Sequence, residues 1–150
     1  MEGNRMHVVM GLIINKEGLI LVAQRAEHQP QAGTWELPGG KVESGETALA
    51  GLQRELTEEL GIQVIQATPW IKIPYHYTTH DVLYDVWLIE QLSGKIRGLE
   101  GQGLKWVNRN EFLSLLGFPD NEADKVGDML NGILKNRTLC DDDANFHLND

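Results

Sequence analysis

The sequence predicts an α/β domain in which a mixed β-sheet is covered by helices, and three observations carry that expectation. Strand-like apolar runs and helical periods are interspersed along the chain without strict βαβ alternation, which disfavours a doubly wound parallel sheet. Residues 7–14, HVVMGLII, are almost continuously apolar and β-branched, the pattern of a strand buried on both faces. Leu49, Leu52, Leu56 and Leu60 recur at spacings of three and four, which places them on one helix face.

After the first strand, Asn15-Lys16-Glu17-Gly18 supplies turn chemistry and LILVAQ a second strand, so a hairpin is expected. The chain leaves that strand at Arg25, and 26–34, polar with Pro30 and Gly33, reads as a loop. In WELPGGK, Pro38 fixes one φ angle, while Gly39 and Gly40 permit close backbone approaches. Ser44, Glu46 and Thr47 surround the start of a helix, with acidic side chains near its positive end; the helix runs to about Leu60 and Gly61 stops it. QVIQATPWIKI and DVLYDVWLIEQL read as strands joined through YHYTTH, and Gly-rich SGKIRGLEGQG leads to a short strand, LKWV. Trp70, Trp87 and Trp106 fall on these strands and are assigned to core or sheet faces. Helices are expected from Asn108 through Leu116 and from about Asn121 to Leu134, the second with Val126, Met129, Leu130, Ile133 and Leu134 on its apolar side. Residues 1–136 read as one domain and 137–150 as an acidic, flexible tail.

A length of 150 residues suits one domain with a core of its own. The single cysteine, Cys140, excludes an intramolecular disulfide and suits a reducing compartment, so the cytoplasm is the expected location. The first residues, MEGNRMHVVMGLII, lack the layout of a signal peptide, and their apolar run is far shorter than the roughly 20 residues that span a bilayer. Net charge is −9. Such an acidic surface disfavours direct binding to nucleic acid or anionic lipid, so a polyanionic ligand must arrive with cations. Composition leaves both monomer and homodimer open.

At about 100° per residue, the leucines occupy one arc of the first helix and Glu55, Glu58 and Glu59 a neighbouring one. Glutamate-rich helices are commonly just solvated faces. Yet like charges at i and i+4, as for Glu55 and Glu59, destabilise an isolated helix by a few tenths of a kcal/mol, roughly, and Arg54 alone does not neutralise three or four acids. A hard divalent cation such as Mg²⁺ or Mn²⁺ would, with a free carbonyl of the Gly39-Gly40 turn as a further oxygen donor.

The full spacing is more specific. Gly40, five residues, Glu46, seven residues, then Arg54-Glu55-Leu56-Thr57-Glu58-Glu59-Leu60-Gly61-Ile62 resembles the signature of the Nudix hydrolase family, with nine specified positions matched over 23 residues. The resemblance implies an α/β/α sandwich around a mixed sheet and cleavage of a phosphoanhydride in a nucleoside diphosphate derivative, using divalent cations and a water nucleophile. Carried onto this chain, it implies that Glu55, Glu58 and Glu59 bind metal and position the base, that the Gly39 carbonyl is an added ligand, that Arg54 orients Glu55, and that Glu46 ties loop to helix. Family members differ in which acid is the base; Glu100, in LEGQG, is the candidate outside the box for base and metal ligand, the alternative being an ordinary loop acid.

HVVMGLII, the strand ending in Gln24-Arg25, WELPGGK, EGQ before a Trp strand, and FPDNE extend the likeness to the MutT branch of that family over most of 7–132. That branch hydrolyses nucleoside triphosphates to monophosphate and pyrophosphate, acting on oxidised guanine nucleotides such as 8-oxo-dGTP. By that likeness Arg25 would contact the nucleotide, Glu36, Leu37 and Gly39 would line its pocket, and Asn121 would read the purine edge. The alternatives are a strand-end charge for Arg25 and a helix cap for Asn121. Leu37 stands where the branch often carries an aromatic residue, Thr79 where a cation would help, and FPDNE is one residue short. His76 and His80 lie in a polar connection as solvated side chains or ligand contacts, and Trp35 packs its loop or touches the ligand. Other substrates that keep the chemistry are a pyrimidine triphosphate, a dinucleoside polyphosphate or a nucleotide sugar, and a different class is a catalytically silent, nucleotide-sensing Nudix domain.

Overall fold

Strand β1 (Arg5–Leu12) is the spine of a four-stranded mixed sheet. It pairs in parallel with β6 (Asp81–Ser93), from Arg5 opposite Asp81 to Leu12 opposite Leu88, and antiparallel with β4 (Gly39–Lys41) on its other edge. Beyond β6 lies β5 (Gln63–His76), antiparallel and interrupted by three register shifts. The computed structural model describes residues 5–25, 27–28, 33–115 and 120–136, with the side chains of 120–124 and 135–136 left aside. The acidic tail expected over 137–150 falls outside the described residues.

The hairpin expectation is corrected. The turn forms as expected, with Asn15 Oδ1 accepting from the Glu17 and Leu19 amides at 3.0 and 2.9 Å. However, both edges of β1 are already taken by β4 and β6, so after one bridge between Ile14 and Ile20 the chain passes into a second sheet. There β2 (Ile20–Gln24) lies between β3 (Trp35–Glu36) and β7 (Leu104–Val107), antiparallel to both. The WELPGGK stretch therefore contributes an edge strand to each sheet. The expected YHYTTH connection shortens to a turn, because β5 continues through His76 and the Tyr77 amide already bonds the His80 carbonyl at 2.9 Å.

Alternation along β1 and β2 sends side chains into two cores. Val9, Ile13 and Leu21 meet Leu52, Leu56 and Leu60 of α1 (Ala48–Leu60). Leu12, Ile14, Ile20 and Val22 meet Phe112 of α2 (Arg109–Leu115) and Val126 and Leu130 of α3 (Asp120–Asn136). The α/β/α layering follows. Asn108 caps α2 rather than joining it, its Oδ1 accepting from the Glu111 amide at 2.8 Å. Leu49 is corrected as well: it has the right angle but remains 36% exposed, because it sits in the first turn of α1, outside the core that Leu52, Leu56 and Leu60 enter. No described helix is long and apolar enough to cross a membrane.

Candidate active site

The turn before α1 brings backbone and acids together at very short range. A side chain at Gly39 would collide with the Val9 carbonyl, backbone that cannot yield, and one at Gly40 would displace the Glu55 carboxylate. Thr47 caps the helix, its Oγ1 accepting from the Ala50 amide at 3.1 Å, and Gly61 ends it in the left-handed conformation at φ 71°. The first turn holds no acid, contrary to expectation. Glu46 is turned instead toward Arg54 and the Glu43 amide.

Arg54 is the hub behind the site. Its Nε and Nη2 donate to Glu46 at 2.7 and 3.0 Å, Nη2 also to the Lys41 carbonyl at 3.0 Å, and Nη1 to Glu55 at 3.0 Å and Glu58 at 3.4 Å. One planar cation thus joins strand end, loop and helix. The hydrogen bonds from Arg54 and from the Glu43 amide hold the Glu46 carboxyl down at about 2.

In front lies a cavity of about 440 Å³. Its floor is Met6, Val8 and Met10 of β1 with Val82 and Tyr84 of β6, alternate residues that the parallel register sets side by side. Glu36, Glu55, Glu59 and Glu100 face into it, as do Arg25, Leu37 and Gly39. Arg25 Nη1 is 3.2 Å from Glu36, while burial raises the Glu36 carboxyl. Glu100 arrives through a loop fastened to the end of α1: the Leu99 amide and Gln102 Nε2 both donate to the Glu59 carbonyl, at 2.9 and 3.2 Å, and Gln102 Oε1 accepts from the Glu100 amide at 2.9 Å.

The crowding has a direct electrostatic result. Glu59 is pushed up to about 9, by burial first and then by the negative charges of Glu55, Glu100 and Glu36. Among the described residues, no three His, Cys, Asp or Glu side chains stand close enough to hold an ion as they are. The donors are nonetheless all hard oxygens, and their mutual repulsion is what a divalent cation relieves in place of the Glu59 proton. The residues fit such an ion.

A profile of the NUDIX domain matches residues 4–126. The chain belongs to this family. It is 35% identical over 131 residues to an 8-oxo-dGTP diphosphatase of Haemophilus influenzae, covering 87% of this chain and 96% of that one. It is also 35% identical over 109 residues to a CTP pyrophosphohydrolase of Escherichia coli, covering 73% and 81%. A MutT structure from work on Aliivibrio salmonicida and Vibrio cholerae matches with a TM-score of 0.66 and 32% identity, over 85% of this chain and 98% of that one. The protein is a Nudix hydrolase, an enzyme of a family that uses divalent cations.

Within this Nudix hydrolase, Glu55, Glu59, Glu100, Arg25, Glu36, Leu37 and Gly39 share one cavity. Glu58 does not line it; it is exposed and bonded to Arg54. The Asn121 side chain lies outside the described residues. Trp35 is held under Lys105, whose Nζ lies 4.4 Å from the ring, and does not line the cavity. Sequence reasoning missed Tyr77, Tyr84 and Gln102. The alternation Val82, Tyr84, Val86 on β6 was the available signal for Tyr84.

Proposed function

We propose that this Nudix hydrolase cleaves nucleoside triphosphates to monophosphate and pyrophosphate with Mg²⁺, Mn²⁺ being a substitute, and favours an oxidised purine nucleotide such as 8-oxo-dGTP. The observation that supports this most is the shared cavity: the glutamates that repel one another open onto the same space of about 440 Å³ as Arg25 and the apolar side chains of Met6, Val8, Met10 and Val82. Glu55, Glu59, Glu100 and the Gly39 carbonyl would hold the cation, with Glu58, exposed beside Arg54, completing the acid set. The chemistry such an ion supplies is neutralisation of polyphosphate charge and a lowered pKa for a bound water. Arg54 keeps Glu55 oriented toward the cavity, Arg25 meets the nucleotide, and Asn121 reads the base. Water attacks the β phosphorus, the bond from that phosphorus to the α–β bridging oxygen breaks, and the attacking water's proton passes to a carboxylate of the set. The water oxygen ends on pyrophosphate; the bridging oxygen leaves with the monophosphate.

The equal identity to a CTP pyrophosphohydrolase supports a second reading, in which a pyrimidine triphosphate is preferred. Steady-state kcat/KM over canonical, oxidised and diphosphate-linked nucleotides with Mg²⁺, in ¹⁸O-water, separates the two. The expected result is the highest value for 8-oxo-dGTP and label in pyrophosphate. A maximum at CTP moves the assignment to pyrimidines, two monophosphates as products retire triphosphate cleavage, and silence across the panel makes the domain a sensor.

A further inference from the structure

An α-helix leaves its last four carbonyls without partners of its own, and at the end of α1 those groups receive a second stretch of chain. Gly61, left-handed at φ 71°, turns the backbone away once its amide has bonded the Thr57 carbonyl. Residues 97–102 then return to the carbonyls that follow: the Arg97 amide donates to Leu60 at 3.0 Å and the Leu99 amide to Glu59 at 2.9 Å. Apolar burial contributes little to holding this segment. Ile96 before it is fully buried, but 97–101 are exposed, and Leu99, beside Gly61, is 53% exposed. Hydrogen bonds therefore decide where Glu100 stands.

Gln102 joins two of the cavity acids through their backbones. Its Nε2 donates to the Glu59 carbonyl at 3.2 Å, and its Oε1 accepts from the Glu100 amide at 2.9 Å. The reverse orientation of that side-chain amide would set donor against donor and acceptor against acceptor, so its partners fix which way it points. Gly98 leaves the room this requires, since a Cβ there would stand 2.7 Å from the Gln102 carbonyl oxygen and 3.5 Å from Oε1. We propose that Gln102 is a positioning residue, whose side-chain amide clamps the Glu100 backbone to the last turn of α1 and so sets the spacing of the Glu59 and Glu100 carboxylates before a cation arrives. The inference rests on the reading of Glu100 as a cation ligand and adds what holds it in place. Although Gln102 lines the cavity, both ends of its amide are turned to backbone, which separates its role from that of the carboxylates. A site ordered in advance binds more tightly than an exposed loop that has to be ordered on binding.

Amide exchange followed by NMR in EDTA and Mn²⁺ affinity measured by electron paramagnetic resonance, both on the full chain, test this. In the metal-free protein Gln102→Met, close in length but unable to donate, is expected to speed exchange of the Glu100 amide about tenfold and to leave that of Leu56, in the middle of α1, within about twofold. The same substitution is expected to weaken Mn²⁺ about tenfold in the wild-type chain and less than about twofold in Glu100→Gln, because its effect passes through Glu100. Unchanged exchange at Glu100 overturns the clamp, as does equal acceleration at Leu56, the mark of a general loosening. Equal weakening of Mn²⁺ in both backgrounds, or none in the wild-type chain when Glu100→Gln alone weakens it, overturns the positioning role. If exchange behaves as expected while Glu100→Gln binds Mn²⁺ as wild type does, the clamp stands and the reading of Glu100 as a ligand falls.

Discussion

Among the described carboxylates Glu59 is the one pushed furthest up, and the sign of that shift can be tested without substrate. Its folded value of about 9 lies above the ordinary 4.5, so the folded state holds this proton more tightly than the unfolded chain does. The resulting stability is complete below pH 4.5 and is lost as pH rises through about 9. In EDTA, the Tm of wild type should fall over that window more steeply than that of Glu59→Gln, which has no proton to lose. Each kcal/mol of difference corresponds to about 2–4 °C for a domain of this size. Parallel Tm curves for the two proteins would remove Glu59 as the strained acid. Glu46 behaves oppositely: with its value held near 2, its contribution is present above 4.5 and lost below that as acid displaces Arg54.

At the scale of elements, α1 is anchored by three leucines rather than four. Leu56 is fully buried, so Leu56→Ala should cost about 2–5 kcal/mol in urea unfolding. Leu49→Ala, at an exposed position, should stay within about 0.5 kcal/mol. A large loss at Leu49 would put it back in the core. The contrast explains what was legible in the sequence. Helix period, cap and stop are local signals, and they located α1 and set Glu55 and Glu59 on its cavity side, but not the exposed position of Glu58 or the acid-free first turn. Whether a given turn has anything above it depends on partners supplied from elsewhere, which is why Leu49 misled. The β1–β2 hairpin failed for the same reason, since the competitors for β1 were β4 and the distant β6. The cavity's tyrosines were hidden more deeply. Tyr84 reaches the cavity only through a parallel pairing of Val8 with Tyr84, and no nearby sequence pattern announces a contact between strands so far apart in the chain.

For the whole molecule, a net charge of −9 and acids gathered on one cavity predict that divalent cations stabilise as well as activate. At a hundredfold excess over its Kd, Mg²⁺ should add about 2.7 kcal/mol, read as a concentration-dependent rise in Tm that EDTA reverses. A Glu55→Gln/Glu59→Gln double variant should lose that rise while remaining folded, and an undiminished rise would place the cation elsewhere. The long edge strand β5 bears on a different property. Among the described residues its outer side pairs with nothing, and a flat strand of 14 residues would invite end-to-end growth into fibres. Pro69 and Pro74 remove two amides from that border, and the register shifts at Val64/Gln66, Gln66/Ala67 and Pro69/Ile71 bend it. Filament resistance is thus written into the same strand whose far end, at His76, delivers the Tyr77 turn to the cavity.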